Sequence, residues 1–223
     1  MSKLLRDVSL SQKKIMLRSA IMILCACLAL ASCDLFSTRT PETPDLGTTF
    51  FWTPAATPST LFDNFTGTIA AVDASNYARC FISIQDTVTS GAAPATYSFV
   101  PRAGLDQSSR SIFDTWTVQS EQNFLTKLRA SLVSNPKATM TITNKSIDQS
   151  NATTARISAD YLILLPLPSN STLPGSISGS LIFQLVLVTT PEGTKEWRIA
   201  SWTDFASAMG TKSMSDLKIQ LAS

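Results

Sequence analysis

Ala155-Arg156-Ile157-Ser158-Ala159-Asp160-Tyr161-Leu162-Ile163-Leu164-Leu165 alternates with a period of two. Ala155, Ile157, Ala159, Tyr161, Ile163 and Leu165 share one face, as a long β-strand with one buried side requires. Arg156, Ser158 and Asp160 fall on the opposite face, toward solvent. Downstream, Leu181, Phe183, Leu185 and Leu187 share a face while Ile182, Val186 and Val188 lie opposite. That pattern predicts a central strand buried on both sides. Thr190-Pro191-Glu192-Gly193-Thr194 reads as a hairpin turn, and Trp197 and Ile199 lead a last strand that ends near Trp202. Upstream, after Pro136, Met140 and Ile142 alternate with Thr139, Thr141 and Thr143. The second half is therefore read as four antiparallel strands. Ser213 to Asp216 has the form of a capping box, opening a short terminal helix that carries Leu217.

The first half has a helical period instead. Thr57-Pro58 supplies an N-cap and a first-turn proline, and Leu61, Phe62, Phe65 and Ile69 then fall on one face. Asp73-Ala74-Ser75 breaks this helix. Tyr77, Cys80 and Phe81 predict a second, shorter one to about Ile84. Residues 87–95 read as loop, Tyr97 to Pro101 as a short strand stopped by proline, and 102–112 as polar loop. Phe113 to Leu132 is the longest helical pattern, with Phe124, Leu125, Leu128 and Leu132 on one face. Thr117 is its candidate N-cap, and Glu121 lies near its positive end. Helices followed by an antiparallel meander define an α+β class.

The N-terminal end is of a different kind. Residues 1–20 are polar and basic, and Ile21 to Ser32 form a short apolar run. A spanning helix needs about 20 apolar residues, so the layout is that of a secretory signal. Leu30-Ala31-Ser32-Cys33 resembles the lipobox of bacterial lipoproteins. The resemblance implies that Cys33 is acylated and becomes the new N-terminus, holding the protein to the cell-envelope membrane. A start at Met16 gives a more compact leader than a start at Met1. By analogy with enteric lipoproteins, Asp34 favours the inner membrane. Residues 33–56 are rich in Pro and Thr and read as a flexible tether. Within them, Phe50-Phe51-Trp52 is expected either to pack on the domain or to touch the lipid interface. The expected organisation is leader 1–32, tether 33–56 and folded domain 57–223.

Removing the leader changes the chemistry of what remains. Of the 18 basic and 16 acidic residues, five basic residues and one acid lie in 1–32, leaving 13 against 15. A mildly acidic, unclustered surface argues against nucleic acid and against a polybasic membrane patch. Cys25 and Cys27 lie in the leader and Cys33 at the lipidation point, so Cys80 alone remains as a free, structural thiol. The chain has no His, which excludes His general bases, His metal ligands and Ser-His-Asp triads. No metal-ligand spacing or glycine-rich phosphate loop is present, and no cofactor is expected.

From about residue 57 to 220, the element order is similar to that of the nuclear transport factor 2-like (cystatin-like) superfamily. So are Thr57-Pro58, Tyr97 to Pro101, Trp116 ahead of the long helix, and Trp197 to Asp204. The resemblance implies N-terminal helices packed on a curved antiparallel sheet that forms a cone. Enzymes of that superfamily commonly place an Asp/His or Asp/Tyr set inside the cone. Asp160 and Tyr161 cannot supply it, because alternation sends them to opposite faces. Tyr97, Phe99, Trp116, Tyr161, Trp197 and Trp202 are candidates to line a cone mouth, with Asp114 as the candidate pocket acid. Three functions follow as expectations. The first is an envelope protein that binds a small apolar ligand or a protein partner, including a second copy through the open sheet face. The second is an isomerase or dehydratase using Asp114 with Tyr97 or Tyr161. The third is a structural assembly subunit.

Overall fold

In the computed structural model, residues 50–89, 96–134, 137–208 and 210–222 are described. The expected leader, Cys33 and most of the expected tether lie outside them. Helix α1 (Pro58–Ala71) starts where expected: Thr57 is extended and its Oγ1 accepts the Thr60 N–H at 3.1 Å. The helix ends at Val72, a buried β-branched residue in the left-handed region at φ 51°. Asp73 at once caps α2 (Ala74–Ala78) by accepting the Asn76 N–H at 3.0 Å. This second helix stops short of the expected Ile84, because Cys80 to Ile82 are drawn out along a strand. Their backbone exchanges hydrogen bonds with Ile199 in both directions, at 2.8 and 3.0 Å.

Two short strands follow, β1 (Thr87–Val88) and β2 (Ser98–Val100), the latter bounded by Pro101 as predicted. The expected polar loop instead contains a five-residue helix, α3 (Gln107–Ser111), capped by Asp106. Bonds from Ser108 and Ser109 hold the Asp106 carboxyl down at about 2. A 3₁₀ turn (Ile112–Thr115) then runs into Trp116, whose extended backbone breaks the helical pattern. Helix α4 (Val118–Ser131) therefore begins after Thr117, which forms a capping box with Ser120.

The sheet is built from β3 (Thr139–Asp148), β4 (Thr154–Leu164), β5 (Ser176–Thr189) and β6 (Lys195–Ala206). Its order is β2-β6-β5-β4-β3, and β1 pairs with β5 beyond the end of β4. The four long strands are antiparallel neighbours, whereas β2 lies parallel to β6. Strand β6 runs past the expected end at Trp202 because Leu181 and Gly179 still pair with Asp204 and Ala206. Between Gln184 and Leu185 the register skips Ala200 on β6. Trp197 and Trp202, five residues apart, would otherwise face opposite ways. The extra residue sets them opposite Leu187 and Phe183, two residues of one β5 face. Strand β5 is buried on both sides only near Val186 and Val188, since Gln184 is exposed.

Helix α1 lays Phe62 and Phe65 on this surface. The Phe65 ring meets Phe183 and Trp202 edge-on, with centroids 4.8 and 5.4 Å apart. Contacts of this kind add roughly 0.5–1.5 kcal/mol beyond area burial. Residues 50–56, assigned by composition to the tether, also belong to the packed unit. Ala55 is buried and its carbonyl accepts the Trp197 N–H at 2.8 Å. The Asn64 side chain holds the Thr53 backbone through Nδ2 at 2.6 Å and Oδ1 at 3.3 Å. Arg79 covers Trp52 at 4.3 Å, and Phe50 lies over Gly67. Only Phe51 of the aromatic trio points out, 84% exposed. The last element, α5 (Met214–Ala222), opens on one half of the expected box: the Ser213 N–H donates to Asp216 at 2.9 Å, while the Ser213 hydroxyl donates to the same carboxylate. Among the described residues no helix is long and apolar enough to cross a membrane.

Candidate functional site

Three carboxylates are buried in the domain: Glu196, which pairs with Arg198 at 2.7 Å, and Glu121 and Asp204, which the tyrosines serve. Glu121 precedes Phe124, Leu125 and Leu128 by three, four and seven residues, so it occupies a position on the buried stripe of α4. It is fully buried. Oε1 accepts Tyr97 Oη at 2.6 Å, Trp116 Nε1 at 2.8 Å and Lys218 Nζ at 2.5 Å, and Oε2 accepts Tyr77 Oη at 2.9 Å. Lys218 holds the equivalent position on α5, with Met214, Leu217 and Leu221 on the same stripe. It too is fully buried. Its ammonium stands 3.6 Å from the Phe99 ring centre and 4.0 Å from that of Trp202, with Trp116 and Phe124 at 5.4 and 5.6 Å. Burial pushes the Lys218 ammonium down to about 8, against the pull of Glu121. Burial also pushes Tyr77 and Tyr97 well up, and the charge of Glu121 adds to it.

The third carboxylate, Asp204 on β6, is buried beside the start of α5. Oδ1 accepts Tyr161 Oη at 2.6 Å, and Oδ2 accepts the Ser215 N–H at 2.8 Å and its Oγ at 2.5 Å. The Tyr161 hydroxyl in turn accepts the Met214 N–H at 2.8 Å. A carboxylate at a helix N-terminus satisfies otherwise orphaned N–H groups and faces the positive end of the helix dipole. Asp216 extends the arrangement outward as a bidentate partner of Arg102, with both contacts at 2.9 Å. Burial raises the Asp216 carboxyl, but the Arg102 hydrogen bonds and the Ser213 N–H outweigh it and hold the group below its ordinary value. Helix α5 is thus fastened by one carboxylate at its N-terminus and another against its middle.

The aromatic residues expected to line a cone mouth are brought together in part, around the side chains of Glu121, Lys218 and Asp204. Tyr97 and Trp116 donate to Glu121, Phe99 and Trp202 cover Lys218, and Tyr161 serves Asp204. Trp197 is buried opposite Leu187, away from both groups. Asp114 is exposed on the 3₁₀ turn. The interior acid is Glu121, because the helix proper starts after Thr117 and turns that residue, not Asp114, onto the buried stripe. Tyr161 and Asp160 diverge as alternation requires: Asp160 meets Ser180 and Asn144 on the outer face. Cys80 is buried with its thiol pushed to about 12 by burial, as suits a structural thiol. Among the described residues no group of three or more His, Cys, Asp or Glu is placed to hold a metal. The sequence signal for a buried Lys218 is its place in the i, i+3, i+4, i+7 series with the apolar Met214, Leu217 and Leu221.

The chain has three tyrosines, and all three donate to Glu121 or Asp204. Tyr161 is likewise raised, by burial and then by Asp204. A tyrosine ionises near 10 when unfolded. A folded value above that gives stability that is complete below about pH 10 and lost as pH rises past it. Tyrosinate absorbance is therefore expected to appear only together with loss of the folded circular dichroism signal. A tyrosine titrating near pH 10 in the folded chain would contradict this. Lys218, lowered rather than raised, acts in the opposite sense: its penalty is full below about pH 8 and fades toward the ordinary lysine value.

Among the clefts bordered by the described residues, one of about 200 Å³ reaches the edge of this interior at Trp116, Phe124 and Leu221. Another of about 530 Å³ is bordered by Arg102, Asp106, Thr172, Lys212, Asp216 and Gln220. A third of about 360 Å³ lies by Pro101, Arg110 and Phe205.

No family model matches the chain, and no curated protein matches it. Solved structures do. A proposed scytalone dehydratase from Novosphingobium aromaticivorans is 8% identical, with a TM-score of 0.46 over 70% of this chain and 89% of its own. An NTF2-like protein of unknown function in nutrient uptake from Rhodospirillum rubrum is 10% identical, with a TM-score of 0.43 over 67% and 98%. A proposed dehydratase of the NTF2-like family from Streptomyces avermitilis is 14% identical, with a TM-score of 0.42 over 66% and 92%. The α+β class of the present chain rests on the element order and strand register described above.

Proposed function

We propose that this chain is a lipid-anchored cell-envelope protein with a nuclear transport factor 2-like domain that acts by binding a protein partner, not by catalysis. One observation carries the non-catalytic reading: Lys218 occupies the aromatic interior and is paired with Glu121. Glu121 accepts bonds from four internal donors, three on Oε1 and one on Oε2, so both oxygens already serve partners of the chain itself. The same filling disfavours a small apolar ligand in the cone and an enzyme built on Tyr97 or Tyr161, whose hydroxyls are committed to carboxylates. Anchoring rests on Leu30-Ala31-Ser32-Cys33 and its place after a short apolar run. Diacylglyceryl and acyl groups on Cys33 would hold the domain at the membrane surface.

Two measurements test the parts separately. Native mass spectrometry of the protein from its own host is expected to give the chain without a small-molecule adduct; a stoichiometric adduct would overturn the reading of the interior. Mass analysis of the mature N-terminus is expected to find acylated Cys33, and Cys33→Ala is expected to move the protein out of the membrane fraction. An unmodified Cys33, or membrane retention of the variant, would remove the anchor.

A further inference from the structure

The surroundings of Lys218 have the composition of a ligand site. An ammonium is held by one carboxylate oxygen at 2.5 Å and covered by the faces of Phe99 and Trp202 at 3.6 and 4.0 Å. Trp116 and Phe124 stand farther out at 5.4 and 5.6 Å. Desolvating an ammonium is expensive, and a carboxylate with several π-faces is the chemistry that offsets it. Glu121 is itself set in place by Tyr77, Tyr97 and Trp116, all contributed by segments other than α5. Every wall named here except Lys218 therefore comes from the rest of the domain. We propose that the interior is a primary-ammonium cage and that Lys218 is the ligand it holds in cis. The class it selects is a primary alkylammonium on an unbranched chain. A quaternary ammonium has no N–H for Glu121, and the 2.5 Å contact leaves no room for a methyl on that side.

The inference is independent of membrane anchoring and is tested by emptying the cage. Lys218→Ala removes a fragment equivalent to propylammonium. Added n-propylammonium is expected to raise the unfolding temperature of this variant saturably, with at least ~10-fold preference over propyltrimethylammonium, and 1-propanol is expected to have little effect. The parent chain, with Lys218 in place, is expected to show no saturable rise. Glu121→Gln added to Lys218→Ala is expected to abolish the response. If Lys218→Ala does not fold alone, refolding in propylammonium but not in 1-propanol supports the cage, and failure to refold in either overturns it. A rise that is equal for propanol, equal in the parent chain or unchanged by Glu121→Gln also overturns it.

Discussion

Glu121→Leu is expected to lower the free energy of unfolding by about 3–5 kcal/mol, the range for breaking one side of a buried ion pair. The magnitude follows from what the substitution strands. Lys218 loses its carboxylate while remaining fully buried, and Tyr77, Tyr97 and Trp116 lose their acceptor. Each orphaned donor carries a desolvation penalty of about 1–3 kcal/mol, but the four losses share one site and do not add. Glu121→Leu combined with Lys218→Met is expected to recover part of the loss, because neither member of the pair then leaves its charge without the other. Recovery stays incomplete, since the two hydroxyls and the indole N–H remain unpaired. The contrast is the exposed pair of Lys145 and Asp63 at 3.9 Å, whose removal is expected to change stability by no more than about 1 kcal/mol. Urea unfolding of the four proteins decides it; a loss below about 1 kcal/mol for Glu121→Leu would show that the interior charges contribute little.

These same residues mark where the sequence was legible and where it was not. Local signals with a mechanism survive folding: Thr57 and Thr117 cap the helices assigned to them, Asp216 takes the Ser213 N–H at the start of α5, Pro101 ends β2, and alternation puts Ala155, Ile157, Ala159, Tyr161 and Ile163 inside. Signals that depend on partners far along the chain do not. Nothing local tells that Ser98 to Val100 run parallel to β6, or that Ala200 is the extra residue that turns Trp202 inward. Gln107 to Ser111 are serine-rich and read as loop; a single Asp106 cap makes them a helix. For the site, composition assigns charges to the surface, so Asp114 and Glu121 look alike at a helix start. Only the phase of α4 separates them. That phase is set by Trp116, whose extended backbone delays the helix to Val118.

Gly179→Ala is expected to cost about 3 kcal/mol, combining overpacking of roughly 1–3 kcal/mol with the loss of a buried hydrogen bond. Gly179 pairs with Tyr161 on β4 and Ala206 on β6. The Tyr161 ring lies across β5 at this point to reach Asp204 on the far side. A methyl group on Gly179 would sit 2.6 Å from Tyr161 Oη and 2.8 Å from Cζ, and against the Phe205 carbonyl. The ring must shift, and the strand backbone at Phe205 with it. Asp204 and the Met214 N–H then both lose the hydroxyl that links them. Tyr161→Phe removes only that hydroxyl and leaves Asp204 its two bonds from Ser215, so it is expected to cost less, about 1–3 kcal/mol. The double variant is expected to fall short of the sum of the two, because the ring displaced by the first change has no hydroxyl left to lose in the second. Gly175→Ala is the control, since nothing lies within 4 Å of its added carbon. If Gly179→Ala unfolds no more easily than Gly175→Ala, the crossing of Tyr161 over a bare backbone is not what holds the start of α5 to the sheet.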